Sequence, residues 1–294
     1  MRRILIAAVF VGLLLAACER AVESQSGSVR QLAPGVFSRQ GNRDRRQPAN
    51  TSWVVFRDYV VVIDANTPWG LREILPEIKK TTNKPIRFVF DTHYHADHAF
   101  GNSIFVDEGA AIVCSEDCFA ESKAKNPAQW KPELPTDRLE HPQVSFQDRM
   151  VFDDGNQRVE LLKMGPGHTL GDAVAWLPQH RILFTGDLCV NRPGNNVADK
   201  DADPDGWVRG LDRMLLLDVA ILIPGHGVQG TKDAIGGQRA YLADMIRQVR
   251  DGIRRGATPD QLEKQVDLSA HKPWGQDEVR NKTSVRAVYA KLSR

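Results

Sequence analysis

A chain of 294 residues with 39 basic and 37 acidic side chains carries a formal net charge of only +2, too little for a general attraction to nucleic acid. Its 41% hydrophobic content excludes a disordered chain, and no low-complexity tract or internal linker divides it. The composition predicts one compact domain with a large core.

In chain order, Met1-Arg2-Arg3 followed by the apolar stretch Ile4 to Ala17 has the charged start and short apolar core of a secretory signal, residues 1–17. It is shorter than the roughly 20 apolar residues that a membrane span needs. Leu15-Ala16-Ala17-Cys18 resembles the lipobox of bacterial lipoproteins, which implies that Cys18 becomes the acylated first residue of the mature chain. The competing reading is an ordinary cleaved signal that contains a cysteine. Glu19 stands where an aspartate often retains lipoproteins at the inner membrane, so the expected location is the periplasmic face of a Gram-negative outer membrane, held through the lipid anchor. Residues 18–30 are polar and read as a tether, and 31–294 as the folded domain. Loss of Arg2 and Arg3 with the signal leaves no net formal charge, which together with export argues against a nucleic-acid partner.

Arg39, Arg43, Arg45 and Arg46 read as a solvated loop, with contact to an anionic substrate or lipid headgroup as the alternative. Val60 to Ile63 reads as a strand. Thr67-Pro68 predicts a helix cap followed by a first-turn proline, and Leu71, Ile74, Leu75 and Ile78 form that helix's apolar stripe. Ile86 to Asp91 is a β-branched and aromatic run, a buried strand that delivers His93 and His95 on one face. Asp97 and His98 are neighbours, so the chain must turn there, and a turn into a helix aims both at a second point beside the first. Cys114 and Cys118 are a possible disulfide in an exported protein, or two separate thiols.

Arg158 to Lys163 reads as a strand entering Gly165-Pro166-Gly167, which presents His168. Ala173 to Leu177 and Arg181 to Thr185 form a hairpin across Pro178-Gln179-His180 that ends near Asp187. Cys189, two residues on, reads as a buried small hydrophobe. Asn191 to Asp205 is a long polar loop leaving the Asp187 segment, and substrate choice is expected there. Within it Asp201, Asp203, Asp205 and Asp212 match part of a calcium loop, although Pro204 interrupts it. The plainer reading makes Asp205 the cap of a helix carrying Trp207, Leu211, Met214 and Leu215. Val219 to Ile223 is a strand that stops at Pro224 and presents His226. Leu242, Met245, Ile246, Val249 and Ile253, then Val285, Val288, Tyr289 and Leu292, make two further helical core stripes.

Five histidines and two aspartates thus fall at strand ends on one edge, while His141, His180 and His271 lie outside the pattern. Imidazole and carboxylate donors suit first-row divalent ions, and a carboxylate can bridge two of them. The expected set is His93, His95 and His168 around one ion, Asp97, His98 and His226 around a second, and Asp187 shared. A water held between two such ions loses a proton near neutral pH and becomes a nucleophile; for Asp97 a ligand role alone is the plainer reading, with holding or relaying that proton as the alternative.

With these clusters in this order, and Asp64 closing the strand Val60 to Ile63, residues 30 to 260 resemble the metallo-β-lactamase superfamily. The resemblance implies an α/β (α+β) fold, a four-layer αβ/βα sandwich with metals at one edge of two packed sheets. The ligand set with Asp187 in the bridging position is similar to the glyoxalase II pattern. A large subclass of zinc β-lactamases has cysteine at the position of Asp187 and often lysine three residues later. Here that later residue is Val190, with Arg192 as the nearest substitute anchor for a β-lactam carboxylate. Flavodiiron relatives commonly have glutamate where this chain has His95. Asp64 is expected to support a ligand histidine from behind or to bond local backbone, and Thr169 and Asp172 are weaker candidates for the same support. The implied activity is an exported hydrolase with two zinc ions acting on a small ester, thioester, lactone or amide, β-lactams included. Alternatives are a mononuclear-iron persulfide dioxygenase and a non-catalytic periplasmic metal-binding accessory protein.

Overall fold

A computed structural model describes residues 26–194 and 197–293. The signal, Cys18 and most of the tether lie outside the described residues. The domain begins with β1 (Val29–Ala33), which starts just inside the segment expected to be tether.

One sheet has seven strands in sequence order: β1, β2 (Val36–Arg39), β3 (Thr51–Val55), β4 (Val60–Ile63), β5 (Ile86–Phe90), β6 (Ala111–Ser115) and β7 (Val144–Phe146). The first four strands are antiparallel, and β4 through β7 are parallel. The second sheet runs β12-β11-β10-β9-β8, comprising β8 (Arg149–Asp153), β9 (Arg158–Lys163), β10 (Ala173–Leu177), β11 (Ile182–Phe184) and β12 (Ile221–Ile223). Only β11 and β12 are parallel in it.

Strand alternation explains the layers. Val61 and Ile63 of β4 meet Ala173, Ala175 and Leu177 of β10 between the sheets. Val60 and Val62 point the other way, onto Leu71, Ile74 and Ile78 of α1 (Pro68–Thr81). Both faces of β4 are therefore buried, which is why the strand is apolar at every position. On the far side Val174 and Trp176 pack against α5 (Pro204–Leu215), α6 (Lys232–Arg254) and α8 (Glu278–Leu292). Four layers result, as the sequence implied. The shorter helices are α2 (Ala96–Ala99), α3 (Asn102–Asp107), α4 (Glu116–Gln129) and α7 (Pro259–Gln265). No helix among the described residues is long and apolar enough to cross a membrane.

Helix starts follow local chemistry. Thr67 caps α1 by accepting from Gly70 N, with Pro68 first in the helix. Asp203, not Asp205, caps α5 by accepting from Gly206 N, because Pro204 occupies the first helical position and the cap is the residue before it. Cys114, Cys118 and Cys189 are buried free thiols. The expected possibility of a Cys114–Cys118 disulfide is not realised: Cys114 closes β6 while Cys118 turns into α4 under the Ser115 cap, and Cys114 Sγ donates to Ser115 O at 3.2 Å.

Candidate metal centre

The parallel strands β4 and β5 end side by side, as do β11 and β12, so the loops after them meet at one sheet edge. His93 and His95 leave β5, and the turn into α2 reverses Asp97 and His98. His168 follows β9, Asp187 follows β11 and His226 follows β12.

Among the described residues two groups of donors flank Asp187, which makes a third set with His93 and His98, while His95 with Asp199 and Asp201 makes a fourth at the outer side. The His93, His95 and His168 donor atoms lie within 4.8 Å of one another, with His168 Nε2 2.9 Å from His95 Nδ1. Asp97, His98 and His226 form the second group, with His226 Nε2 3.3 Å from His98 Nε2 and 3.2 Å from Asp97 Oδ2. Asp187 stands between them. Its Oδ1 lies 3.2 Å from His226 Nε2 and 3.4 Å from His98 Nε2, while its Oδ2 lies 3.7 Å from His168 Nε2.

These spacings fit metal ions. A tetrahedral ion with bonds of about 2.0–2.2 Å needs donor atoms roughly 3.3 Å apart. His93 Nε2 and Asp187 Oδ1 are buried without a hydrogen-bond partner, and the facing Nε2 lone pairs of His98 and His226 repel unless a proton or cation lies between them.

Electrostatics separate the two groups. Burial alone would lower the His98 and His226 rings and raise the Asp97 and Asp187 carboxyls, but their mutual attraction prevails. His98 is raised by Asp64, Asp97 and Asp187, and His226 is pushed up to about 9 by Asp187 and Asp97. Both aspartates are held below the usual carboxylate range. In the first group burial prevails instead: His93 and His95 are lowered, and His168 falls to about 3.

Supporting contacts come from several segments. Asp64 Oδ2 lies 2.8 Å from His98 Nδ1, and the same carboxylate accepts from Thr92 N and Thr92 Oγ1. To reach them Asp64 adopts a left-handed backbone, φ +62°. Thr92 Oγ1 in turn lies 3.1 Å from His93 Nδ1. His226 Nδ1 donates to Pro48 O at 2.7 Å, and Asn50 Nδ2 ties down the Pro224 and Gly227 carbonyls. His95 Nε2 faces Asp199 Oδ2 at 3.6 Å. Thr92, Pro48, Asn50 and Asp199 escaped the sequence reading, since none stands in a pattern.

Thr169 and Asp172 act differently from expectation. Asp172 accepts from Thr169 N at 2.9 Å and Thr169 Oγ1 at 2.6 Å, so the pair braces the turn after His168 instead of its ring. His168 Nδ1 is buried with no partner. Burial pushes the Asp172 carboxyl up to about 7.

The glycines of the motif are required by close approach. A Cβ on Gly225 would lie 2.1 Å from Asp187 Oδ1, and one on Gly186, itself at φ +51°, would lie 2.3 Å from Thr92 Oγ1.

Other singled-out residues lie elsewhere. Arg39 is not in a solvated loop: it is fully buried on β2 and paired with Glu77 of α1, a partner 38 residues away. Arg45 pairs with Glu73 at 2.7 Å, and Arg46 stacks over Trp69. The aspartates of the calcium-like stretch diverge, Asp201 to Tyr94 and Lys125, Asp203 to the α5 cap, Asp205 to Arg250 and Asp212 to Arg239. His141, His180 and His271 contact Ser122, Gln157 and Asp244, away from the centre.

Against known proteins, residues 44–226 match the sequence profile of the metallo-beta-lactamase superfamily. The chain is 28% identical over 177 residues to a metallo-beta-lactamase type 2 of Bacillus sp. (strain 170), covering 59% of this chain and 64% of that protein. It is 24% identical over 250 residues to a linear primary-alkylsulfatase of Pseudomonas sp. (strain ATCC 19151), covering 68% of this chain and 46% of the sulfatase. The matched part thus spans less than two thirds of either relative. Among solved structures, an inverting sec-alkylsulfatase of Pseudomonas sp. superposes with TM-score 0.73 at 16% identity, over 90% of this chain and 50% of that one.

Proposed function

The chain belongs to the metallo-beta-lactamase superfamily, and from that premise we propose an exported, lipid-anchored hydrolase that holds two zinc ions and cleaves a small ester, thioester, lactone or amide. One observation carries the reading: the Asp187 carboxylate lies between two separate donor groups, within reach of both, where it would be shared if each held an ion. The donors are nitrogen and oxygen only, a set suited to zinc and also to iron.

When bound, such ions supply Lewis acidity and bring the pKa of a water from 15.7 to about 7. The chain's own residues supply placement and proton handling. Asp187, 6% exposed, is committed to the two groups, whereas Asp97 is 31% exposed and is the carboxylate that substrate and water reach. Asp97 therefore orients the attacking water by accepting a hydrogen bond from it, and its lowered pKa keeps it ionised for that role. His93, His98, His168 and His226 are buried and fix the donor geometry.

A second reading, a sulfate ester or other anionic substrate, draws on the alkylsulfatase relative and on Arg192. Arg192 is half-buried, makes no ion pair among the described residues, and its Nε is buried without a partner. Burial lowers its pKa against the pull of Asp187, and Arg43 and Arg280 add like charge.

Metal analysis paired with a substrate panel of esters, lactones, a chromogenic cephalosporin and an alkyl sulfate tests the proposal. Two zinc ions per chain and turnover of one class are expected. One iron with persulfide consumption would favour the dioxygenase, and bound metal with no turnover across the panel would favour an accessory protein. Cys18→Ala is expected to move the protein from the membrane to the soluble fraction; unchanged membrane association would contradict the lipid anchor.

A further inference from the structure

The last turn of α8 reaches the metal centre through one side chain. Lys291 Nζ donates to the backbone carbonyls of Asp199 at 2.9 Å, Lys200 at 3.2 Å and Ala202 at 2.5 Å. Hydrogen bonds from an ammonium are roughly twice as strong as neutral ones, and several carbonyls gathered on one head fix the path of a segment that forms no strand or helix. That segment carries two acids toward the centre. Asp199 sets its Oδ2 3.6 Å from His95 Nε2, the ring atom opposite the Nδ1 that faces His168. Asp201 takes the Tyr94 hydroxyl and pairs with Lys125 at 2.9 Å, and the Lys125 ammonium lies over the Tyr94 ring. Residues 199–202 are therefore held from one side by the C-terminal helix and from the other by Tyr94, the immediate neighbour of His95.

We propose that Lys291 is a positioning residue for the metal centre: by gathering the carbonyls of residues 199, 200 and 202 it sets Asp199 against the outer nitrogen of His95. The C-terminal helix thereby governs the orientation of one ligand imidazole, although 196 residues separate Lys291 from His95 in the chain. The inference rests on the reading of His95 as a ligand. A carboxylate hydrogen-bonded behind a ligand histidine fixes its tautomer and ring direction, at a loss of roughly 10–100-fold in metal affinity when removed; at 3.6 Å Asp199 acts on His95 through charge alone, so its effect is smaller. Lys291→Met keeps an apolar stem and removes the ammonium, so the carbonyls turn to water and residues 199–202 keep only the anchor at Asp201, whose N donates to Asp199 Oδ1 at 3.1 Å.

The test uses the full chain with cobalt(II) in place of the native metal, since cobalt's visible bands report ligand geometry independently of turnover. Lys291→Met and Asp199→Asn are each expected to shift the bands in the same direction and weaken cobalt binding at the first group by a few-fold, below the roughly 10-fold floor for a hydrogen-bonded partner. The double variant is expected to show no more than the larger single effect, because both act through one contact. Circular dichroism establishes that each variant is folded, and Lys291→Gln, which shortens the stem and removes the charge, replaces Lys291→Met if that variant is not. Unaltered bands and affinity in these variants, or full additivity in the double variant, would overturn the positioning role while leaving the metal reading intact. Failure of the unaltered chain to take up cobalt would overturn both.

Discussion

The two halves of the centre use the same donor types and are held differently. In the half built on Asp97, His98 and His226, both imidazoles engage partners behind them, Asp64 at 2.8 Å and the Pro48 carbonyl at 2.7 Å. In the half built on His93, His95 and His168, the supports are a hydroxyl at 3.1 Å, a carboxylate at 3.6 Å and, for His168 Nδ1, none. Charge follows the same division. Three carboxylates, Asp64, Asp97 and Asp187, surround His98, so that half attracts a cation even when only a proton is at hand. The other half is a buried set of rings that burial keeps neutral. The difference teaches that the second half is a charged cradle and the first a neutral one, joined by Asp187.

The largest expected effect comes from removing the joint. Asp187→Ala is expected to abolish turnover and lower metal occupancy at both halves, by more than the 10–100-fold that supporting residues cost, while the fold survives. Metal content and a thermal melt of the purified variant check this; full activity would contradict the shared role.

Asp64→Asn separates the halves. Asparagine tolerates the left-handed backbone at this position, so the change removes charge behind His98 without added backbone strain. A loss of roughly 10–100-fold in affinity at the second half is expected, with a smaller loss at the first, which meets Asp64 only through Thr92, read as one ion lost before the other in a chelator titration. Equal loss from both halves would erase the distinction.

The smallest effect is in protons. His226, near 9 before a metal arrives, is protonated at neutral pH and must lose that proton to become a ligand. Apparent affinity of the second half therefore rises as pH rises toward 9, and loading at pH 7 releases protons. The first half, with His168 near 3, is already deprotonated and releases none from that ring. Calorimetry in two buffers of different ionisation heat measures this, and identical heats would contradict it.

The sequence makes the donors legible and most of their supports illegible, for a physical reason. Histidines and aspartates just past apolar runs are conspicuous because a strand end is where a side chain can leave the core. Thr92, Asn50 and the Pro48 carbonyl follow no period, and their partners lie far along the chain, so only folding pairs them. Asp64 was visible because it ends an all-apolar strand. Strands buried on both faces, such as β4 and β10, show as apolar runs, but β2 and β3 hide Ser38, Arg39, Thr51 and Ser52 inside, so neither stands out as one. The buried stripe of α4 consists of Cys118, Glu121, Ser122 and Asn126, which no apolar period would flag. The cap of α5 is the one error the sequence itself could have corrected, because Pro204 in the first helical position places the cap on Asp203.

The central claim is that seven side chains from four loops hold a pair of ions joined by Asp187. Metal content of the purified chain by mass spectrometry tests it most directly. Two first-row transition-metal ions per chain, falling sharply in Asp187→Ala, is the predicted result, and a folded chain with all seven residues intact and no transition metal would contradict it.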